Sequence, residues 1–260
     1  MRYGIFHPGN LLAVTRFSLV VILLITIIAI GILLRSLKLL KANLRLYLRT
    51  MTCKLILFIL GIKLHVTGVL DSTDGTLYVI NHRTLIDPII ALSLIPKGNV
   101  VSKAEVKNYP VINVGAALSG VIYIERTDKL SRENAKNAIQ KALENNVSII
   151  IFPEGTTSST PKISEYKKGA FEGAVNAGSK MQAIALEFMH PERDFWTEHN
   201  LFIQFCKTFS QYRVYAKLHF FPAEKSANAL NLCNNAQVQT QKQLDIFQKS
   251  WKNYKPLVPV

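Results

Sequence analysis

The sequence predicts an α/β fold, a mixed sheet flanked by helices, behind an N-terminal membrane-associated helical segment. Three features point there. Beyond Gly68, short β-rich runs alternate with helical stretches, the order expected of strands and helices in turn. Near the N-terminus, Phe17 to Leu34 reads "FSLVVILLITIIAIGILL", 18 residues without a charge. Between Met1 and Leu70 stand nine Lys and Arg and no Asp or Glu, so this stretch holds +9 of the +14 net charge.

As a helix, Phe17–Leu34 would be about 27 Å long, close to the roughly 30 Å hydrocarbon core of a bilayer. It is too long for a typical cleaved signal, and no A-x-A-like site follows it. A buried core helix is the other reading of that length. In the next residues, "RSLKLLKANLRLYLRTM" (35–51), Arg35, Lys38, Lys41, Arg45 and Arg49 fall within about 120° of a helical wheel. Leu37, Leu40, Leu44, Leu48 and Met51 fall within about 80° on another face. A basic amphipathic helix beside an apolar run of bilayer length predicts contact with an anionic leaflet. Packing of the leucines on the protein's own domain is the alternative. A second apolar run, "LILFILGI" (55–62), is too short to span and is expected to dip into the interface or reach the domain.

Six positive charges lie within Arg35–Lys54 against two before the long run, which puts the C-terminal side in the cytoplasm. Nucleic acid is not the expected partner, because the basic residues adjoin aliphatic runs rather than a groove-reading motif or stacking aromatics. Cys53, Cys206 and Cys233 are odd in number and far apart, and read as unpaired apolar residues.

Strands are expected at 76–80, 100–102, 121–124, 147–152, 183–188 and 214–220, where short continuous apolar runs suit a sheet buried on both faces. The stretch 130–146 is expected as a helix with Ser131 as N-cap and Ala135, Ala138, Ala142 and Leu143 on one face. A second helix, within 167–179, stops at Gly178. A last one near 236–254 sets Leu244, Phe247, Trp251 and Tyr254 on a docking face. A short linker with turn chemistry ("DSTDG") is expected near 63–75, and the domain boundary at 66/67. Residues 1–66 are then the anchoring region and 67–260 the α/β domain.

Four segments at expected strand ends carry chemistry. "NHRTLIDP" delivers His82 to the end of the first strand, where α/β folds place their sites. Pro88 suits a first helical position, making Asp87 the expected N-cap. The same carboxylate can accept from one nitrogen of His82 and leave the other as a proton acceptor. Capping alone explains Asp87 but leaves His82 unexplained. Arg126, just past "VIYI", is either a phosphate-gripping guanidinium or half of a surface ion pair with Asp128. "IIIFPEGTTSST" runs from a buried strand into a turn holding Glu154, Gly155 and Thr156, where amides and hydroxyls can hold an anion or simply turn the chain. Lys103, after "VVS", is a weak fourth signal. No G-x-S-x-G, H-E-x-x-H, Walker or G-x-G-x-x-G motif is present, so a covalent nucleophile, a metal and a nucleotide cofactor all lack support. The economical chemistry is a base acting directly on a substrate hydroxyl.

Three of these blocks, "NHRTLID" (81–87), "GVIYIER" (120–126) and "FPEGT" (152–156), together resemble the membrane glycerolipid acyltransferases of the 1-acyl-glycerol-3-phosphate acyltransferase type. That family shows N-H-x(4)-D, G-x-[IVF]-[FY]-I-x-R and F-P-E-G-T in this order, and the resemblance covers roughly residues 63 to 190. "SKAEVKNYP" also looks like its K-x-E-L-x-x-x-P segment. The resemblance implies His82 as catalytic base oriented by Asp87, Arg126 with Lys103 on the acceptor phosphate, and Glu154, Gly155 and Thr156 shaping the acceptor pocket. It implies acyl transfer from acyl-CoA or acyl carrier protein, as co-substrate rather than cofactor, to the free hydroxyl of a lysophospholipid, foremost 1-acyl-sn-glycerol 3-phosphate. It also implies membrane lipids as partners, and a bacterial inner membrane with the catalytic domain facing the cytoplasm. The sequence departs from the family at Thr157, where F-P-E-G-T-R-S members carry Arg, and in "MQAIALEF", which lacks the proline of the fourth block. Losing that cation leaves room for lysophosphatidylcholine, lysophosphatidylethanolamine or a lyso-ornithine lipid. A transacylase or lysolipid hydrolase, or a non-catalytic membrane-binding module, stands as a further alternative.

Overall fold

The computed structural model describes residues 8–103, 121–124, 129–158, 160–198 and 200–252. Helices α1 (Pro8–Ser36) and α2 (Ala42–Ile59) lead into β1 (Ile62–Gly68), β2 (Leu77–Ile80), α3 (Asp87–Leu94), β3 (Asn99–Lys103) and β4 (Ile122–Ile124). Then come α4 (Lys129–Glu144), β5 (Ile149–Ile151), α5 (Gly169–Asn176), β6 (Met181–Phe188), α6 (Pro191–Asp194), α7 (Leu201–Phe209), β7 (Val214–Phe220) and α8 (Ala229–Lys252). The seven strands form one sheet in the order β1-β7-β6-β2-β5-β3-β4. Neighbours are parallel except β6 and β7, which pair antiparallel with Leu186 opposite Leu218. The sheet is mixed and flanked by helices, as the alternation of apolar runs predicts.

Side-chain alternation sorts the sheet into two cores. Tyr78, Ile80, Ile150, Ile184 and Leu186 point to the side covered by α2, α3 and α7. Leu77, Val79, Ile149, Ile151 and Ala183 point to the side covered by α4, α5 and the start of α8. Because both faces are buried, β2 and β5 read as continuous apolar runs, and every residue of β6 is buried. The six expected strands are all present. Ala185 with Leu244, Phe247 and Trp251 closes a third cluster under α8, on the docking face expected there; Tyr254 lies outside the described residues.

Several details differ from expectation. The segment 35–51 is not one helix, since the chain leaves the helix after Ser36 and re-enters it at Ala42. Arg49 is buried and donates to the Pro96 carbonyl (2.6 Å), so it faces the domain rather than a leaflet. Of the two readings of the run 55–62, the one that reaches the domain holds: Ile56 and Leu57 join the core, and Ile62 opens β1, which runs across the expected boundary at 66/67. Helix α4 begins at Lys129, so Ser131 sits inside the first turn, and Ile139 replaces the exposed Ala138 on the buried face.

Helix α1 from Gly9 to Ser36 is long and apolar enough to cross a membrane, and only 6 % of its most apolar window is buried by the rest of the chain. One charge ties it down. The Arg16 guanidinium is buried and donates to the carbonyls of Phe209 (2.9 Å), Gln211 (2.6 Å) and Tyr212 (2.9 Å). The Phe209 carbonyl lies at the negative end of α7, where a cation is favoured, and the other two belong to the turn that follows the helix. Gly61 makes room: at φ +71°, a Cβ there would overlap Arg16 Nη2 and lie 2.7 Å from the Tyr212 carbonyl oxygen. Replacing Arg16 by Met removes three hydrogen bonds from a charged donor. It is expected to cost about 2–4 kcal/mol, at 1.5–3 kcal/mol per hydrogen bond to a charged group with partial rescue by water. Urea unfolding followed by circular dichroism checks this; an unchanged midpoint would contradict it.

Candidate active site

The parallel strands β2, β5 and β6 end along one edge of the sheet, and the loops that follow them meet there. After β2, Asn81 continues the pairing with side-chain atoms: Nδ2 donates to the Leu186 carbonyl and Oδ1 accepts from the Leu186 N–H, both at 2.8 Å. This fixes where the chain leaves the sheet. His82 is the next residue.

Asp87 is the first residue of α3, not its N-cap; that position is Ile86, which makes no side-chain cap bond. The carboxylate instead turns back along the chain. Its Oδ2 accepts from the Arg83 N–H (2.5 Å), the Thr84 N–H (2.8 Å) and His82 Nδ1 (2.9 Å), while Oδ1 accepts from the Thr84 hydroxyl (2.6 Å). Asp87 is fully buried, and its oxygens find every donor within five residues. A buried carboxylate needs such a set, since an unpaired one is among the costliest groups to bury. With a carboxylate as acceptor, Nδ1 carries the proton and the neutral ring presents Nε2 as a base. The His82 side chain is 13 % exposed and lies on the Phe152 ring, 4.5 Å between centroids.

Glu154, from the turn after β5, holds the other side of His82. Its Oε1 accepts from the His82 N–H (2.7 Å) and its Oε2 from the Ser164 N–H (2.8 Å). In return, the Ser158 N–H donates to the His82 carbonyl at 2.8 Å. Burial raises the Glu154 pKa, and the His82 and Ser164 N–H groups oppose it. Gly155 sits at φ +76°, a conformation that favours glycine, and its N–H closes the turn on the Phe152 carbonyl at 3.0 Å. Thr156 is exposed beside it. Lys103 ends β3 in register with Ile124 of β4, which places both strand ends on the His82 edge. The Lys103 side chain and all of Arg126 lie outside the described residues. The structure thus brings Asp87 onto the His82 ring and Glu154 onto the His82 main chain. Among the described residues, no group of His, Cys, Asp and Glu could hold a metal ion.

Nothing in the sequence singles out Arg83, which is fully buried beside His82. Its Nη1 donates to the Thr160 carbonyl (2.7 Å), and its Nη2 to the Pro161 carbonyl (2.8 Å) and Glu187 Oε2 (3.0 Å). The guanidinium lies 4.6 Å over the Phe195 ring, and the Arg83 carbonyl accepts from the Trp196 N–H at 3.1 Å. One side chain thus joins the 160–161 loop, strand β6 and Phe195. Glu187 carried a readable signal, because an acid inside "MQAIALEF" demands a buried cation.

The acyltransferase family model matches residues 62–187, which contain all of these contacts except those from 195 and 196. The chain is 31 % identical over 141 residues to a 1-acyl-sn-glycerol-3-phosphate acyltransferase of Cocos nucifera, covering 54 % of this chain and 46 % of that protein. It is 30 % identical over 118 residues to one of Neisseria gonorrhoeae, covering 45 % and 46 %. Residues 62–187 are an acyltransferase domain. A lyso-ornithine lipid O-acyltransferase of Rhizobium meliloti is 31 % identical to the chain over 119 residues, covering 46 % and 40 %. These matches span about half the length of the curated relatives or less. The crystal structure of the 1-acyl-sn-glycerophosphate acyltransferase PlsC from Thermotoga maritima shares the fold of this chain. Its TM-score is 0.73 at 18 % identity, over 92 % of this chain and 96 % of that one.

Burial pushes the Glu187 pKa up to about 7, while Arg83 and the Phe188 N–H pull the other way. A carboxyl whose folded pKa lies above its unfolded value of 4.5 holds more protons when folded. The acyltransferase domain is therefore expected to lose stability as pH rises from about 4.5 to about 7, and Glu187→Gln to flatten that slope. Denaturation midpoints across this range read it; parallel slopes in the two proteins would contradict it.

Proposed function

We propose that this chain is a membrane-bound O-acyltransferase that moves a fatty acyl group from a thioester to the free hydroxyl of a lysophospholipid. The observation that carries the reading is the His82 Nδ1–Asp87 Oδ2 contact at 2.9 Å, at the end of β2 in an acyltransferase domain. Nε2 takes the proton of the acceptor hydroxyl as its oxygen attacks the thioester carbonyl. The tetrahedral intermediate collapses, the C–S bond breaks, and the departing thiolate recovers the proton from Nε2. An ester and a free thiol result, with no acyl-enzyme and no cofactor. The donor is an acyl-CoA or acyl carrier protein thioester. Asp87 keeps the ring in the Nδ1–H tautomer and stabilises the imidazolium that forms between the two transfers.

Arg126 and Lys103 bind the acceptor phosphate in this scheme, supported by their sequence positions at the ends of β4 and β3. Glu154 and Gly155 act on the pocket by holding the His82 main chain and the turn beside it, with Thr156 at its rim. The first acceptor to test is 1-acyl-sn-glycerol 3-phosphate, the substrate named for the coconut and Neisseria relatives. A lyso-ornithine lipid is the second, favoured by the Rhizobium relative and by Thr157, which removes a cation beside the pocket. The length and exposure of α1 support attachment to a bilayer, and the basic surplus of residues 1–70 supports an anionic leaflet, as on the cytoplasmic side of a bacterial inner membrane.

A panel of lysolipids with one acyl-CoA, read by product mass, tests activity and acceptor together. His82→Ala is expected to lower turnover by about 10² to 10⁴ while the protein stays folded. Near-normal product from His82→Ala would sink the mechanism. Product formed from a phospholipid donor without any thioester would make the chain a transacylase instead.

A further inference from the structure

We propose that the first turn of α7 is a second lipid-contacting element, laid into the same bilayer surface as α1 and set beside the active site. The proposal rests on the membrane reading above. Helix α7 buries Gln204, Phe205, Thr208 and Phe209 against the domain, which is its ordinary inward face. Its outward turn should then be polar, yet three consecutive apolar residues stand there: Leu201 is 45 %, Phe202 48 % and Ile203 42 % exposed. Scattered exposed apolar residues are common, but a contiguous cluster marks a contact surface.

The occupant follows from the neighbour. Phe17 of α1 meets Phe202 and Phe205 edge-on, at 5.6 and 5.3 Å between centroids, and is itself exposed. The apolar patch of α7 therefore continues directly into α1, the helix with the length and composition of a membrane element. Arg16 fixes the two helices together, so that one cannot enter a lipid surface and leave the other in water. Exposed Tyr212, with the Arg213 guanidinium 4.6 Å over its ring, is the aromatic–cation pair expected at headgroup level.

The same helix borders the chemistry. Trp196 stands five residues before α7; its N–H holds the Arg83 carbonyl, and its carbonyl accepts from the Thr157 hydroxyl at 3.5 Å. A bilayer that seats α7 thereby sets the height of the His82 loop above the lipid. A lysolipid can then reach the site by sliding sideways out of the leaflet, with its acyl chain still in hydrocarbon.

The test uses the full chain with vesicles of phosphatidylglycerol and phosphatidylcholine brominated along its acyl chains, which quench indole on contact. Phe202→Trp adds a reporter to the patch, and Val238→Trp adds one on the exposed side of α8. The fluorescence added at position 202 is expected to be quenched and that at 238 to be untouched. No quenching at 202 while the protein floats with the vesicles would overturn the proposal and leave α1 as the anchor alone. Failure to float would overturn it together with the membrane reading, whereas acyl transfer in detergent would still stand or fall by itself. A concentration-dependent dimer abolished by Leu201→Glu/Phe202→Glu, without quenching, would also overturn it and assign the patch to a second copy. The same double variant is expected to lose about tenfold or more in turnover of vesicle-borne lysolipid, with little change on detergent micelles.

Discussion

One buried carboxylate organises this protein. Asp87 sits at the head of α3 with no exposure to water, and every donor that satisfies it comes from the five residues before it. A free-standing carboxylate would not tolerate that position. The loop must curl tightly around it, and His82, held at one nitrogen, must then turn the other outward. The fold meets this demand with rigid supports on either side: Asn81 ends the strand at a fixed residue, and the core packing of Ile90 and Ala91 fixes the helix.

A second shell of buried charge does for the loops what Asp87 does for the histidine. Glu154 ties the main chains of His82 and Ser164 together, and Arg83 ties the 160–161 and 187 segments together from the other side. The Arg83–Glu187 pair is not a strong source of stability, because burying an ion pair costs nearly as much as the pairing returns. The effect of Glu154 and Arg83 is geometric. Loops after three different strands are locked at one edge of the sheet, where backbone pairing alone would leave each free to move.

Much of this was legible in the chain. Continuous apolar runs marked the strands because both faces of the sheet are covered, and His82, Asp87 and Glu154 stood out as polar residues at the ends of such runs. What was missed had weak or misleading local signals. The strand "IKLHVTG" follows "LILFILGI" without a break in hydropathy, and only Gly61, with its positive φ, separates helix from strand. The basic wheel of 35–51 assumed one helix, but turns at 37–41 interrupt it, and Arg49 went inward to the Pro96 carbonyl. Asp87 beside Pro88 has the sequence of an N-cap, yet its carboxylate takes the donors of the preceding loop, His82, Arg83 and Thr84, instead of capping the helix. Arg83 offered no signal at all, since exposed and buried arginines look alike in sequence.

The chemistry depends on the state of one imidazole. Histidine-selective nitrogen-15 labelling in detergent or nanodiscs, with the His82 signal assigned by its loss in His82→Gln, reads which ring nitrogen carries the proton. At neutral pH the account predicts a protonated Nδ1 and a bare Nε2, with that preference lost in Asp87→Asn. An Nε2–H tautomer in the unaltered protein would mean that His82 cannot accept the hydroxyl proton from this geometry, and would contradict the account.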